Sequence, residues 1–193
     1  MSHLQHSAAQ LKAWAQASLP MWAERARLPD GSWVEHLHLD GTPDLQAERR
    51  WRVMARQAVS YAQATEAGWI DGRDVAEDSF KTYWDGGVID GRAVHRVMPD
   101  GTISNAAHDL YDHAFGLLAC ARLFSLTRKP DYLRRADVLL AYVDSQQHPA
   151  GGFREGSLQP LPTAKTRTCT CWKRAWRCSR RQEPRSIFSS RAR

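Results

Sequence analysis

The stretch from residue 107 to residue 127 constrains this chain most. Leu110, Tyr111, Phe115, Leu117, Leu118, Leu123, Phe124 and Leu126 cover most of a helix circumference. A helix that is apolar nearly all round is buried nearly all round, in a core or in a membrane. The sequence has no apolar run of the roughly 18 residues a membrane span requires, so other helices must enclose this one. The surrounding text supplies them. Residues 3–27 read as a long helix with Leu4, Leu11, Ala15, Leu19 and Trp22 at helical spacing. Pro20 kinks or divides it, and Pro29-Asp30-Gly31 stops it. Pro43 and Asp44 open a second segment, with Asp44 as a candidate N-cap. Its stripe is Trp51, Met54, Ala58, Tyr61 and Thr65, and it ends at Gly68. Residues 71–84 read as a third helix. Gly86-Gly87 and the stretch 92–104 read as loops or a small hairpin. Pro130 then opens a last helix carrying Leu133, Ala136, Leu139, Leu140 and Val143 and running to Gln147.

Three loops share a glycine followed by apolar residues: Gly31-Ser32-Trp33-Val34-Glu35, Gly86-Gly87-Val88-Ile89-Asp90 and Gly151-Gly152-Phe153-Arg154-Glu155. Helical text precedes each, and the second and third follow helix pairs. Such units cannot bury their own apolar faces and must stack on neighbours. The fold class expected is therefore all-α, a toroid or solenoid of helix pairs.

The formal net charge of +6 suggests a nucleic-acid binder until it is located. Residues 161–193 hold ten of the 27 Lys and Arg and a single acid, Glu183. Residues 1–160 hold 17 basic and 20 acidic side chains, so the body is mildly acidic. It contains one cysteine, Cys120, which offers no disulfide framework. The opening Met1 to Leu11 lacks a charged-then-apolar signal pattern. A cytoplasmic protein with no nucleic-acid or membrane partner is the expectation.

The text changes after residue 162. Cys169, Cys171 and Cys178 are spaced C-x-C-x6-C with no histidine following, which is wrong for the usual zinc pairs. No metal is expected. The genetic code gives a sharper account. Read one base upstream, the codons from Ala164 to Arg174 permit Gln-Asn-Pro-His-Met-His-Leu-Leu-Glu-Ala. The second Leu (from Cys171-Trp172) and the Glu (from Trp172-Lys173) are forced. The expected organisation is a helical body over 1–162 and an out-of-frame, unstructured basic tail over 163–193.

Three blocks carry a family resemblance. They are Arg49-Arg50-Trp51-Arg52-Val53-Met54-Ala55-Arg56-Gln57-Ala58-Val59-Ser60-Tyr61-Ala62, His108-Asp109-Leu110-Tyr111-Asp112-His113-Ala114-Phe115-Gly116-Leu117-Leu118-Ala119, and Gly151-Gly152-Phe153-Arg154-Glu155. The frame-restored Asn-Pro-His-Met-His-Leu-Leu-Glu-Ala resembles the block that follows. Over residues 10–160 the chain resembles the N-acylglucosamine 2-epimerase superfamily. That superfamily also holds mannose isomerases, cellobiose 2-epimerase and proteins labelled mannose-6-phosphate isomerases. The resemblance implies the N-terminal portion of an (α/α)6 barrel, incomplete in this chain. It implies an isomerase or epimerase that takes a proton alpha to the carbonyl of a ring-opened sugar. Free mannose, an N-acylhexosamine, a disaccharide and a sugar phosphate all stay open as substrates. Such chemistry uses a histidine base and a cation to hold the enediolate, and no metal or redox cofactor.

The resemblance also nominates residues. Arg52 and Arg56 share one helix face, where a guanidinium can grip sugar hydroxyls or the enediolate oxygen. The resemblance favours Arg56, and the other reading is a surface arginine. His108, Asp109, Tyr111, Asp112 and His113 crowd the start of the apolar helix, as substrate contacts or as caps and packing, with Asp109 and Asp112 in its first turns. Trp33, Trp51, Trp69 and Trp84 offer a sugar-stacking face or simply fill the core. Arg92 and Arg96 are candidates for a phosphate. The family's principal acid–base histidines belong to blocks beyond residue 163, and this sequence has no counterpart for them. The expectation is a truncated, inactive chain whose full-length form allows a homodimer. The competing class is a non-catalytic helical-repeat scaffold or carbohydrate-binding module. A glycoside hydrolase on the same barrel needs two carboxylates across a cavity, which Asp109 and Asp112 on one helix do not provide.

Overall fold

The computed structural model describes residues 3–154. The tail reading over 163–193, its cysteines included, lies outside the described residues. Five helices follow in order: α1 (His3–Ala26), α2 (Arg52–Glu66), α3 (Arg73–Gly87), α4 (Leu110–Thr127) and α5 (Asp131–Ser145). Each lies where the apolar periodicity places a helix. The bounds differ most at α2, and α3 runs on through Gly86 and Gly87, which the sequence suggested as a loop. Asp44 caps no helix; its carboxylate accepts from the Gln46 and Ala47 N–H groups in a loop turn, and α2 starts eight residues later. Pro20 stays inside an unbroken α1.

The helices form two layers. α2 and α4 lie side by side and parallel, because Arg52 meets Tyr111 and Asp112 at one end and Glu66 meets Arg122 at the other. α3 returns antiparallel along α2, and α5 antiparallel along α4. α3 and α5 touch behind them, with Phe80 edge-on to Tyr132 at 5.5 Å and Arg135 over Trp84 at 5.1 Å. The core lies between the layers, where Met54, Tyr61, Phe80, Tyr83, Leu123 and Leu139 are all buried. Cys120 is buried there too, and burial pushes its thiol well above the usual range. Among the described residues no helix is long and apolar enough to cross a membrane.

α4 is not enclosed all round, which corrects the expectation for this helix. Tyr111 is half exposed, and Phe115 and Leu118 are only partly buried. Their spacing puts them on one open stripe of the front layer.

Two small antiparallel sheets join the helices, where the sequence suggested at most a hairpin. β1 (Arg49–Arg50), β4 (Arg96–Val97) and β5 (Ile103–Asn105) form one, in the order β1-β4-β5. β2 (Val88–Ile89) and β3 (Arg92–Ala93) form the other, around an Asp90-Gly91 turn with φ of 50° and 75°.

The loop repeat is real but differently composed. Residues 28–32, 38–42, 98–102 and 148–152 are four turns of the same build. In each, the first residue's N–H donates to the fifth residue's carbonyl, and the glycine N–H at the fourth position donates back to the first. Those glycines have φ between +82° and +91°. In the first three turns an aspartate precedes the glycine, and its carboxylate accepts the next N–H at 2.9 Å. Gly86 and Gly87 do not belong to the series. They end α3 and make room for the Trp51 indole, whose N–H donates to the Tyr83 carbonyl at 2.9 Å. A Cβ on Gly87 would overlap that ring. Gly87→Ala should therefore lower unfolding stability by about 1–3 kcal/mol through overpacking. Urea unfolding reads this, and an unchanged midpoint would mean Trp51 is free to move aside.

Candidate active site

The front face carries a ladder of cations on aromatic rings. The Arg52 guanidinium lies 5.1 Å above the Tyr111 ring, and the Arg56 guanidinium lies 5.3 Å above the Phe115 ring. Both pairs come from i, i+4 spacing on parallel helices, so each rung is one turn above the last. The lower guanidinium is committed. Arg52 Nη1 donates to Asp112 Oδ1 at 2.7 Å, with the Arg52 side chain 11% exposed and Asp112 wholly buried. The upper one is not: Arg56 is exposed and makes no ion pair among the described residues. It borders a pocket of about 280 Å³ lined by Trp22, Glu35, Arg50, Val53, Gln57 and Ser60 as well. Glu35 accepts from both the Arg50 backbone N–H and its guanidinium, so Arg56 is the cation there without a partner carboxylate.

Asp112 is the buried charge of the site. Its second oxygen is 2.7 Å from His95 Nδ1. Burial pushes its carboxyl above the usual carboxylate range, and hydrogen bonds from His95 and Arg52 pull the other way. Asp109, Asp112 and His95 bring donor atoms within 4.8 Å of one another. Both Asp112 oxygens are already engaged, so the cation this cluster holds is the guanidinium.

Several nominated residues turn out to be structural. His113 is fully buried, and both ring nitrogens are used. Nδ1 donates to the Asp109 carbonyl at 2.8 Å, and Nε2 accepts the Ala93 N–H at 3.0 Å. The ring stacks on Tyr142 at 4.3 Å. Burial drives its pKa from 6.5 down to about 4. It cannot reach a substrate, which corrects its nomination as a contact. His108 Nδ1 lies 3.1 Å from the Ala93 carbonyl, so the two histidines hold both backbone polar groups of Ala93 and clamp the β2–β3 hairpin onto α4. Asp109 is the N-cap of α4 and accepts the Tyr111 N–H at 2.8 Å. With Asp112 buried against Arg52, neither aspartate is placed for glycoside hydrolysis. Trp51 and Trp33 are core residues, each with its indole N–H satisfied. Trp84 lies under Arg135 in the back layer, and Trp69 is half-buried in the turn after α2. The tryptophan that does line the pocket is Trp22. Arg96 is paired with Glu48, while Arg92 is exposed beside Tyr142. Arg52, Arg56 and Tyr111 are the nominated residues that the structure brings together on an open face.

His95 and Glu35 are not marked by the sequence, and Asp112 stands there only as one of the cluster at the start of the apolar helix. A carboxylate inside an otherwise apolar helix was the available signal for Asp112, because a buried charge needs a partner. His95 sits in the short β4 region, where nothing local marks it.

Comparison with known proteins gives a consistent picture. The sequence profile of the N-acylglucosamine 2-epimerase (GlcNAc 2-epimerase) family matches residues 31–168. The match covers most of the chain and runs past the compositional break at 162. A mannose-6-phosphate isomerase from Rhizobium meliloti (strain 1021) is 33% identical over 170 residues, which is 83% of this chain and 42% of that protein. The fold is similar to that of cellobiose 2-epimerase from Bacillus thermoamylovorans B4167, with TM-score 0.68 at 16% identity, over 78% of this chain and 41% of that one. It is also similar to a D-mannose isomerase, with TM-score 0.66 at 16% identity, over 84% and 45%. The chain thus spans about two fifths of the length of the relatives it matches.

Proposed function

Since the chain belongs to the N-acylglucosamine 2-epimerase family, we propose that it supplies the substrate-gripping wall of a sugar isomerase or 2-epimerase. The substrate is mannose or a related aldose. On this reading the helix pairs are the opening segments of an (α/α)6 barrel, and the α2–α4 face lines its lumen. The ladder of Arg52 on Tyr111 and Arg56 on Phe115 carries the reading. A guanidinium stacked on a ring keeps its in-plane N–H edges for hydroxyl oxygens. It can also hold the oxygen charge that develops when the proton alpha to the carbonyl is removed. Arg56, which makes no side-chain hydrogen bond among the described residues, has its N–H donors available for this, whereas Arg52 offers only those that neither Asp112 nor the burial of its Nε removes.

The proton itself moves through histidines that the family resemblance assigns to blocks beyond residue 163. The 193-residue chain should therefore bind mannose without interconverting it with fructose. Turnover above background would overturn that division of labour. Arg56→Ala should weaken mannose binding by about tenfold, the scale of one lost charged hydrogen bond. The unfolding midpoint should barely move, because the side chain is exposed. Saturation-transfer NMR reads the affinity. Equal binding by the variant would favour a scaffold over a sugar site.

A further inference from the structure

The proposed site has a cation whose aim depends on a single contact. Arg52 Nε is buried without a hydrogen-bond partner. The Asp112 carboxylate is the one polar group that holds the guanidinium among the described residues. A carboxylate held at one oxygen is a poor anchor, because the Asp χ2 torsion is broad and the group can turn about it. The second oxygen must be fixed for the first to point anywhere in particular. His95 Nδ1, 2.7 Å from Asp112 Oδ2, is what fixes it.

His95 is well built for that task. Its backbone N–H donates to the Asn105 carbonyl at 3.1 Å, and its own carbonyl accepts the Trp51 N–H at 3.0 Å. The residue is therefore tied to β5 on one side and to the start of α2 on the other. Its ring is 11% exposed and borders Asp109 as well as Asp112. The chain His95, Asp112, Arg52, Tyr111 runs unbroken from the three-stranded sheet to the open face. We propose that His95 is a positioning residue, which acts through Asp112 to hold the Arg52 guanidinium on the Tyr111 ring. Its consequence for sugar binding rests on the function proposed above, whereas the positioning does not.

The test uses the full chain and two polar replacements. An asparagine amide nitrogen sits near where Nδ1 sits and can still donate to Asp112. A glutamine amide reaches instead toward the Nε2 position. In the unaltered chain the Arg52 side-chain protons should be displaced upfield by the Tyr111 ring current. His95→Gln should lose that displacement, and His95→Asn should keep it. A residue that merely supports stability would lower the unfolding midpoint in both variants and leave the Arg52 resonances in place, which would overturn the proposal. The unaltered chain gives a second measurement that no folding failure can spoil. Nitrogen-15 spectra should show His95 with a proton on Nδ1; a proton on Nε2 alone leaves nothing to donate and overturns the proposal equally. Mannose affinity is the separate arm. It should fall about tenfold in His95→Gln and recover in His95→Asn, on the scale of a charged hydrogen bond. If the Arg52 resonances move while affinity does not, the positioning stands and the sugar-gripping role of Arg52 fails.

Discussion

Replacing Asp112 with alanine should remove about 3–5 kcal/mol of folding stability, the cost of stranding one partner of a buried ion pair. The Asp112 side chain is wholly buried, and the Arg52 side chain opposite it is 11% exposed. Without the carboxylate, Arg52 keeps its charge, since guanidinium does not deprotonate in proteins. It already holds one buried nitrogen with no partner. His95 loses its contact at the same stroke. Much of this cost is the stranded charge itself rather than the net worth of the pair. Converting both partners to apolar residues, as in Asp112→Leu with Arg52→Met, should accordingly recover most of the loss. Urea unfolding followed by tryptophan fluorescence measures both variants, with Trp33 and Trp51 buried near α2 as reporters. A loss under about 1 kcal/mol for Asp112→Ala, the scale of an exposed pair, would mean that Arg52 simply swings out to water.

The second large effect is a loss of stability on acidification that begins above the carboxylate range. His113 has a pKa of about 4 in the fold against 6.5 for the free side chain, because burial disfavours the imidazolium. Between those values the unfolded chain binds a proton that the folded chain refuses. Stability therefore rises with pH across this window, is fully present above pH 6.5, and is lost as pH falls toward 4. The whole contribution is about 3 kcal/mol. Asp112 works in the opposite sense, since burial raises its carboxyl in the fold. The slope is best read between pH 6.5 and 5. The unfolding midpoint should fall steadily there, while the His113 ring resonances stay those of a neutral imidazole. A His113 titration centred near pH 6.5 would show that the two backbone hydrogen bonds do not hold the ring.

The helices were legible because each has a length and a stripe. Trp51, Met54, Ala58 and Tyr61 mark α2, and Pro130 marks the start of α5. The sheets were not. A strand of two residues such as Arg49–Arg50 has no alternation to read, and its partners at Arg96 and Val97 lie far along the chain. The site was half legible for the same reason. The i, i+4 spacing places Arg52 and Arg56 on one face, but spacing within α2 is silent about which α4 rings they meet. His113 misled because its role is set by two backbone groups, and one belongs to Ala93 on a separate hairpin. The loop signature at Gly86 misled because two glycines read alike whether they turn a chain or clear space for an indole.

The parallel run of α2 and α4 has an electrostatic consequence. Each helix carries a macrodipole equivalent to about half a positive charge at its start and half a negative charge at its end. Antiparallel neighbours cancel these fields, whereas parallel neighbours add them. The two starts meet at Arg52 and Asp112, which places a buried carboxylate where the summed positive field is strongest. The far end shows the mirror arrangement, with the Arg122 guanidinium at the last turn of α2, 3.5 Å from Glu66. Each end of the pair thus holds one cation and one anion, and the antiparallel α3 and α5 behind offset part of the field. What remains of the field favours the Asp112 half of its ion pair and opposes the Arg52 half, so the helix starts help keep that buried carboxylate charged.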